Sequence, residues 1–159
     1  MALKAVIKES KEVALWREYT DENGKILAEF KIRGDGCQAY KVALERANNQ
    51  IASNGYDVAE ASGEIKLFHE LLLQATACHL LEDWKGIEFD VDGVVTPMPF
   101  TPENATTLLS QGDIGVLIWL FIKEQAYQIQ KDADKTEAEV VGKFETSTGG
   151  LDSEASQQL

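Results

Sequence analysis

The chain has 159 residues, of which 44% are hydrophobic and 26% are charged, as expected for a globular protein with one core. Its net charge of −12 is unusual, because 27 acidic residues outnumber 15 basic ones. Such a surface repels nucleic acid and anionic lipid, so the composition argues against binding to DNA, RNA or a membrane. Most of the acidity follows residue 60, where it suits either a partner with a basic surface or simple solvation.

The first part of the chain predicts a β-hairpin at about residues 11–33. Two segments rich in apolar residues, 12–20 and 26–33, flank the sequence Asp21-Glu22-Asn23-Gly24-Lys25, and Asn-Gly is a strong hairpin signal. In the second segment apolar and charged residues alternate, as they do in a half-buried strand. Residues 38–54 then carry apolar residues three or four apart, which predicts a helix.

The strongest helical pattern runs from Ser62 to Asp83 and is apolar over most of its circumference. A helix of this kind is buried on more than one side, either within the core or between the core and an interface. A turn-rich connector follows, with a predicted type I or I′ turn at Asp92-Gly93.

Two more helices are predicted after the connector. Thr101 suits the N-cap and Pro102 the first helical position of a helix that ends near Ser110. A second helix runs from Asp113 to about Asp132, and its apolar run Val116–Ile122 is too short to span a bilayer. Whether residues 131–141 prolong this helix stays open, since their acidic side chains leave little to bury. The polar residues 142–159 predict a flexible tail.

These elements predict an α+β fold that is mainly α, with an N-terminal β-hairpin followed by four to five helices and a disordered acidic C-terminal tail. Residues 1–141 form a single globular domain in this interpretation, with the helical part at about 38–132. The opening residues lack the apolar stretch of a signal peptide, and two isolated cysteines, Cys37 and Cys78, are expected to be reduced thiols of a cytosolic protein.

The residues that could carry out chemistry are few. His69 and His79 lie ten residues apart on one predicted helix, about 15 Å along its axis, too far to share a metal ion. Asp90, Asp92 and Gly93 resemble the start of a calcium loop, but the required later ligands are missing. We therefore expect no catalytic residues, no metal and no cofactor, and a protein that is not an enzyme.

Large apolar side chains near the connector and in the last helix are the candidates for binding a partner. Tryptophan is most often a core anchor, but it is also enriched at protein interfaces, where it fills a partner's pocket. Both interpretations stay open for Trp84 and Trp119. The candidate partner-binding residues are Trp84, Ile87, Phe89, Trp119 and Phe121.

The layout of residues 60–129 resembles that of the tail assembly chaperones of long-tailed, siphovirus-like bacteriophages. The resemblance is carried by Asp83-Trp84-x-Gly86-Ile87, by Asp92-Gly93 and by Thr101-Pro102-Glu103-Asn104-Ala105, followed by a final helix and a polar tail. The N-terminal hairpin agrees with the general plan of that family. The acidic, Ser- and Gln-rich end differs from the short Lys- and Asn-rich end of some of its members.

The resemblance implies a chaperone that binds and solubilises the tape measure protein and helps to recruit subunits of the major tail tube protein. It also implies self-association, action in the host bacterial cytoplasm and absence from the mature virion. One alternative is a structural head–tail joining or tail-terminator component, which would persist in the virion. Another is a small-molecule enzyme, which would need a pocket lined with titratable groups.

Overall fold

The computed structural model describes residues 2–7, 12–54, 59 and 68–148. Within these residues the chain forms five β-strands in two antiparallel sheets, and four α-helices. This architecture confirms the predicted α+β class with an N-terminal hairpin and a mainly helical remainder.

The N-terminal hairpin consists of β1 (Ala14–Thr20) and β2 (Ile26–Arg33), which pair antiparallel. The carboxylate of Asp21 closes the turn, since its Oδ1 accepts hydrogen bonds from the backbone N–H groups of Asn23 and Lys25, both at 2.9 Å. Gly24 takes a φ of 81°, which costs glycine little. The predicted hairpin is therefore confirmed, and the apolar face of β2 enters the core.

The helix predicted for Ser62–Asp83 ends earlier than expected. After α1 (Gln38–Asn54), α2 runs from Phe68 to His79, and the chain then forms strand β3 (Leu81–Lys85). Strand β3 pairs antiparallel with β2, which places Trp84 opposite Phe30. The prediction was wrong at this end because the edge of β2 supplies the backbone hydrogen bonds that a longer helix would have made. The predicted first turns, up to residue 67, lie outside the described residues.

A second, separate hairpin occupies the connector. Strands β4 (Glu88–Val91) and β5 (Val94–Pro97) pair antiparallel around Asp92 and Gly93. Both turn residues have positive φ angles, 53° and 84°, as a type I′ turn requires. The predicted turn is confirmed, and its Asx character is seen in the hydrogen bond from the N–H of Gly93 to Asp90 Oδ1 at 2.9 Å.

The last two helices are α3 (Pro102–Leu109) and α4 (Gly112–Thr148). Thr101 caps α3 as predicted, because its hydroxyl oxygen accepts a hydrogen bond from the N–H of Asn104 at 3.0 Å. Helix α4 continues through residues 131–141, the extension that the sequence left open, and ends at Thr148, so the first residues of the predicted tail are also helical. Each residue added to an existing helix gains a hydrogen bond, and the Ala-, Glu- and Lys-rich sequence favours that growth. Residues 149–159 lie outside the described residues, and there the tail stays a prediction.

The core lies between the three-stranded sheet, in the order β1-β2-β3, and the helices. Helix α4 contacts β1 and β2, while α2 contacts β3, α1 and α3. The largest fully buried side chains are those of Phe30, Ile32, Leu80, Leu81, Leu109, Ile122, Ile129 and Thr76. The fold therefore holds one face of α4 firmly against the sheet.

The turn after β2 fixes the position of α4. The N–H of Gly36 donates a hydrogen bond to Gln130 Oε1 at 3.0 Å, and the N–H of Asp35 donates to the carbonyl of Ala126 at 3.2 Å. A Cβ atom at Gly34 would lie 2.5 Å from Gln130 Oε1 and 3.3 Å from the Cα of that residue. Glycine at position 34 thus lets the turn approach the helix closely.

The described helices differ from membrane spans in length or composition. No single one of them is long and apolar enough to cross a bilayer. Helix α3 and residues 112–136 of α4 reach that length and composition only together, and the two are bent by 116° at the break between them.

Candidate interaction surfaces

Trp84, the first predicted partner-binding residue, lies in the core. Its side chain is 6% exposed and stacks edge-to-face on Phe100, with 5.4 Å between the ring centroids. The indole Nε1 donates a hydrogen bond to the carbonyl of Met98 at 2.8 Å. Trp84 therefore fastens the segment between β5 and α3 to the sheet, and it offers little surface to a partner.

Ile87 and Phe89 follow Trp84 along the chain and are half-buried against the core. The carbonyl of Ile87 accepts a hydrogen bond from the N–H of Met98 at 2.9 Å, just beyond the ladder of β4 and β5. These contacts attach the base of the second hairpin to the domain. Part of each side chain remains exposed, so binding of a partner through them stays a prediction.

Trp119 and Phe121 occupy the first half of α4, and both are half-buried. The indole Nε1 of Trp119 donates to the hydroxyl of Thr76 at 3.0 Å, while Lys123 Nζ lies 4.5 Å from the centre of the Trp119 ring. Phe121 packs against Tyr19, with 5.1 Å between the ring centroids. All five predicted residues thus belong to one core cluster or pack against it.

Several large apolar side chains of α4 are exposed on the face that points away from the core. Leu117, Leu120 and Tyr127 are 58%, 50% and 54% exposed. Because successive residues turn by about 100° around a helix, these three lie on one line, opposite the buried Ile118, Ile122 and Ile129. We call Leu117, Leu120 and Tyr127 the α4 stripe. Val116 and Ile114, also exposed, flank it.

The α4 stripe was not among the predicted partner-binding residues. A signal for it existed in the seven-residue apolar run Val116–Ile122, which covers almost two helical turns. A helix packed on one side cannot bury such a run completely, so some of its members must face solvent. Which ones do so depends on the face that packs against the sheet.

A second exposed apolar surface is the tip of the hairpin formed by β4 and β5. Val91, Val94 and Val95 are each more than half exposed. Val91 and Val94 are directly opposite each other in the strand register and share a face with Phe89 at the hairpin base. The tip therefore extends the apolar surface outwards from the core.

A shallow cleft of about 470 Å³ lies between α1 and α2. Small apolar side chains such as Ala43 and Ala75 line it, together with Cys78 and His79. Burial, and secondarily the charge of Arg33, lower the pKa of His79 below its ordinary value. Within the described residues, no group of three or more His, Cys, Asp or Glu side chains could hold a metal ion.

Comparison with known proteins places the chain among phage-related proteins. A family model described as YdaY prophage protein matches residues 35–143, which is more than half of the chain. The chain is also similar to Protein YdaY of Escherichia coli (strain K12), with 31% identity over 80 residues that cover 50% of this chain and 65% of the relative. The match thus spans just under two thirds of that relative. No solved structure matches the chain. The chain belongs to the YdaY prophage protein family.

Proposed function

We propose that this protein is a phage tail assembly chaperone that binds and solubilises the tape measure protein of its prophage. It would also help to recruit major tail tube subunits, act in the host cytoplasm and leave before the tail is complete. Membership of a prophage family supports a role in phage biology. The order of motifs in residues 60–129 supports the assignment to tail assembly.

The observation that carries the proposal is the α4 stripe. Three large apolar side chains at helical spacing face solvent on a helix whose other side is anchored in the core. An apolar helix of another protein can lie along such a stripe, as in helix-in-groove recognition. Covering each half-exposed side chain contributes about 1 kcal/mol from apolar burial, which suits a complex that must later dissociate.

The charge of the protein supports the same proposal. A net charge of −12 keeps a protein with exposed apolar residues in solution and discourages non-specific association. A chaperone that coats an insoluble client requires both properties, and binding and release require no covalent step.

The proposal is tested by co-expressing the full chain with the tape measure protein of the same prophage. We expect specific co-purification and a larger soluble fraction of the tape measure protein. The paired substitution Leu117→Ser and Leu120→Ser should abolish both effects. Leu27→Ser and Ile26→Ser form the matched control, because these two side chains on β2 are about as exposed but do not belong to the α4 stripe.

Two results would overturn the proposal. One is unchanged solubility of a tape measure fragment on co-expression with the wild-type chain. The other is detection of this chain by mass spectrometry in purified virions at a fixed ratio to tail proteins. That second result would favour a structural head–tail joining or tail-terminator component.

A further inference from the structure

The exposed face of α4 carries a regular pattern that reaches beyond the stripe. Asp113, Glu124 and Lys131 lie on the same line as the stripe residues, and all six are exposed. In chain order the six positions are separated alternately by four and three residues, the spacing of a coiled-coil seam. We call this set the α4 seam: Asp113, Leu117, Leu120, Glu124, Tyr127 and Lys131.

We propose that two copies of this chain pair antiparallel through the α4 seam. With a two-fold axis at the level of residue 122, Asp113 of one copy lies opposite Lys131 of the other, and Leu117 lies opposite Tyr127. Symmetry makes each of these contacts twice. The described part of the chain gives neither Asp113 nor Lys131 an ion-pair partner of its own, so both charges are available.

Charge complementarity selects a second copy in this orientation. An in-register parallel pair would set Asp113 against Asp113 and Lys131 against Lys131, which is repulsive at both ends. The antiparallel pair converts both contacts into attractions. Asp113 and Lys131 of one helix are about 27 Å apart, more than twice the screening length at physiological salt, so each end acts independently.

Glu124 limits the strength of this pairing. In the antiparallel register it lies opposite Leu120, and the two copies of Glu124 sit about 6 Å apart along the helix axis. Two like charges near the two-fold axis disfavour the pair. The dimer is therefore reversible and covers the α4 stripe when no other protein does so. This inference goes beyond the proposed function and holds whatever other protein binds the stripe.

The test is sedimentation equilibrium of the full chain and of charge-reversal variants. We expect the wild type to dimerise. Asp113→Lys and Lys131→Asp should each weaken dimerisation at least tenfold, about 1.4 kcal/mol, while the double variant should return to within about threefold of the wild type. Glu124→Leu should tighten the dimer about tenfold, because it replaces the central repulsion with an apolar contact.

Two control variants make the same charge changes away from the α4 seam. Glu103→Lys changes an exposed acid in the first turn of α3, and Lys25→Asp changes an exposed base in the first hairpin turn. Both should leave dimerisation unchanged. If Asp113→Lys fails to fold, which thermal unfolding will show, Lys131→Asp and Glu124→Leu carry the test.

The antiparallel pair is overturned if the wild type is monomeric up to its solubility limit. It is also overturned if the single charge reversals leave the dimer dissociation constant unchanged, or if the double variant dimerises no more tightly than either single variant. Failure of Glu124→Leu to tighten the dimer overturns it as well. None of these results depends on the tape measure protein, so they are distinct from failure of the proposed function.

Discussion

Thr76 links helices α2 and α4, and its replacement by valine tests that link. Its side chain is 1% exposed, accepts a hydrogen bond from Trp119 Nε1 at 3.0 Å and donates one to the carbonyl of Leu72 at 3.2 Å. Burial, the largest cause, raises the pKa of the neighbouring Tyr40 phenol. Thr76→Val keeps the shape and removes the hydroxyl.

The expected cost follows from the groups that lose their partner. A buried donor left without an acceptor costs about 1–3 kcal/mol. Trp119 is half-buried, so water can replace part of its lost bond. Valine and threonine have similar helix propensities, so the backbone contributes little. We expect a loss of about 1–2 kcal/mol in the free energy of unfolding, or about 2–8 °C in Tm for a chain of this size.

The assay is chemical denaturation followed by circular dichroism, with Thr107→Val as the matched control. Thr107 donates a comparable bond to the carbonyl of Glu103 at 3.0 Å, but its side chain is exposed. The control should change stability by less than about 0.5 kcal/mol. In a double-mutant cycle, Thr76→Val and Trp119→Phe should be coupled. If Thr76→Val costs no more than Thr107→Val, the proposed link between α2 and α4 is refuted.

Three further predictions concern packing and pH. Gly115→Ala should lower the free energy of unfolding by about 1–3 kcal/mol, because the added Cβ would lie 2.7 Å from the carbonyl carbon of Leu109. An unchanged denaturation midpoint would contradict the tight contact between α3 and α4. Trp84→Phe should lower the free energy of unfolding by about 1–2 kcal/mol, because the carbonyl of Met98 loses its indole donor. If the variant is as stable as the wild type, that hydrogen bond is contradicted. Asp35→Asn should raise Tm at pH 7 but not below pH 3.8, because burial, the largest cause, raises the pKa of Asp35 in the folded state. Between the unfolded and the folded pKa of Asp35 the folded state holds more protons than the unfolded state, so stability falls as pH rises through that window and the loss persists at pH 7. Equal Tm shifts at both pH values would contradict this.

Local sequence signals predicted the turns and caps well. The Asp21–Lys25 turn, the Asp92-Gly93 turn and the Thr101 cap all depend on side-chain or backbone preferences within four residues of one another. Such preferences act in the isolated segment, so they can be read without knowing the fold. The end of α2 could not be predicted in this way, because it depends on β2, which is about fifty residues earlier in the chain.

The candidate interaction surfaces were likewise only partly predictable from the sequence. The apolar run in α4 was visible in the sequence, yet apolar residues of the core and of an interface look alike there. The structure assigns Ile118 and Ile122 to the core and leaves Leu117 and Leu120 exposed. It also buries Trp84, which the sequence alone left open between core anchor and partner contact.

The sequence by itself determined the α+β class, both hairpin turns, the start of α3 and an acidic surface, because each follows from composition or from neighbouring residues. The tertiary structure decided where α2 ends and which face of α4 is free. The end of α2 depends on the pairing of β3 with the edge of β2, and the free face of α4 depends on which side of the helix packs against β1 and β2. Both features are set by contacts between segments that are far apart in the sequence, so the residue pattern of one segment cannot predict them.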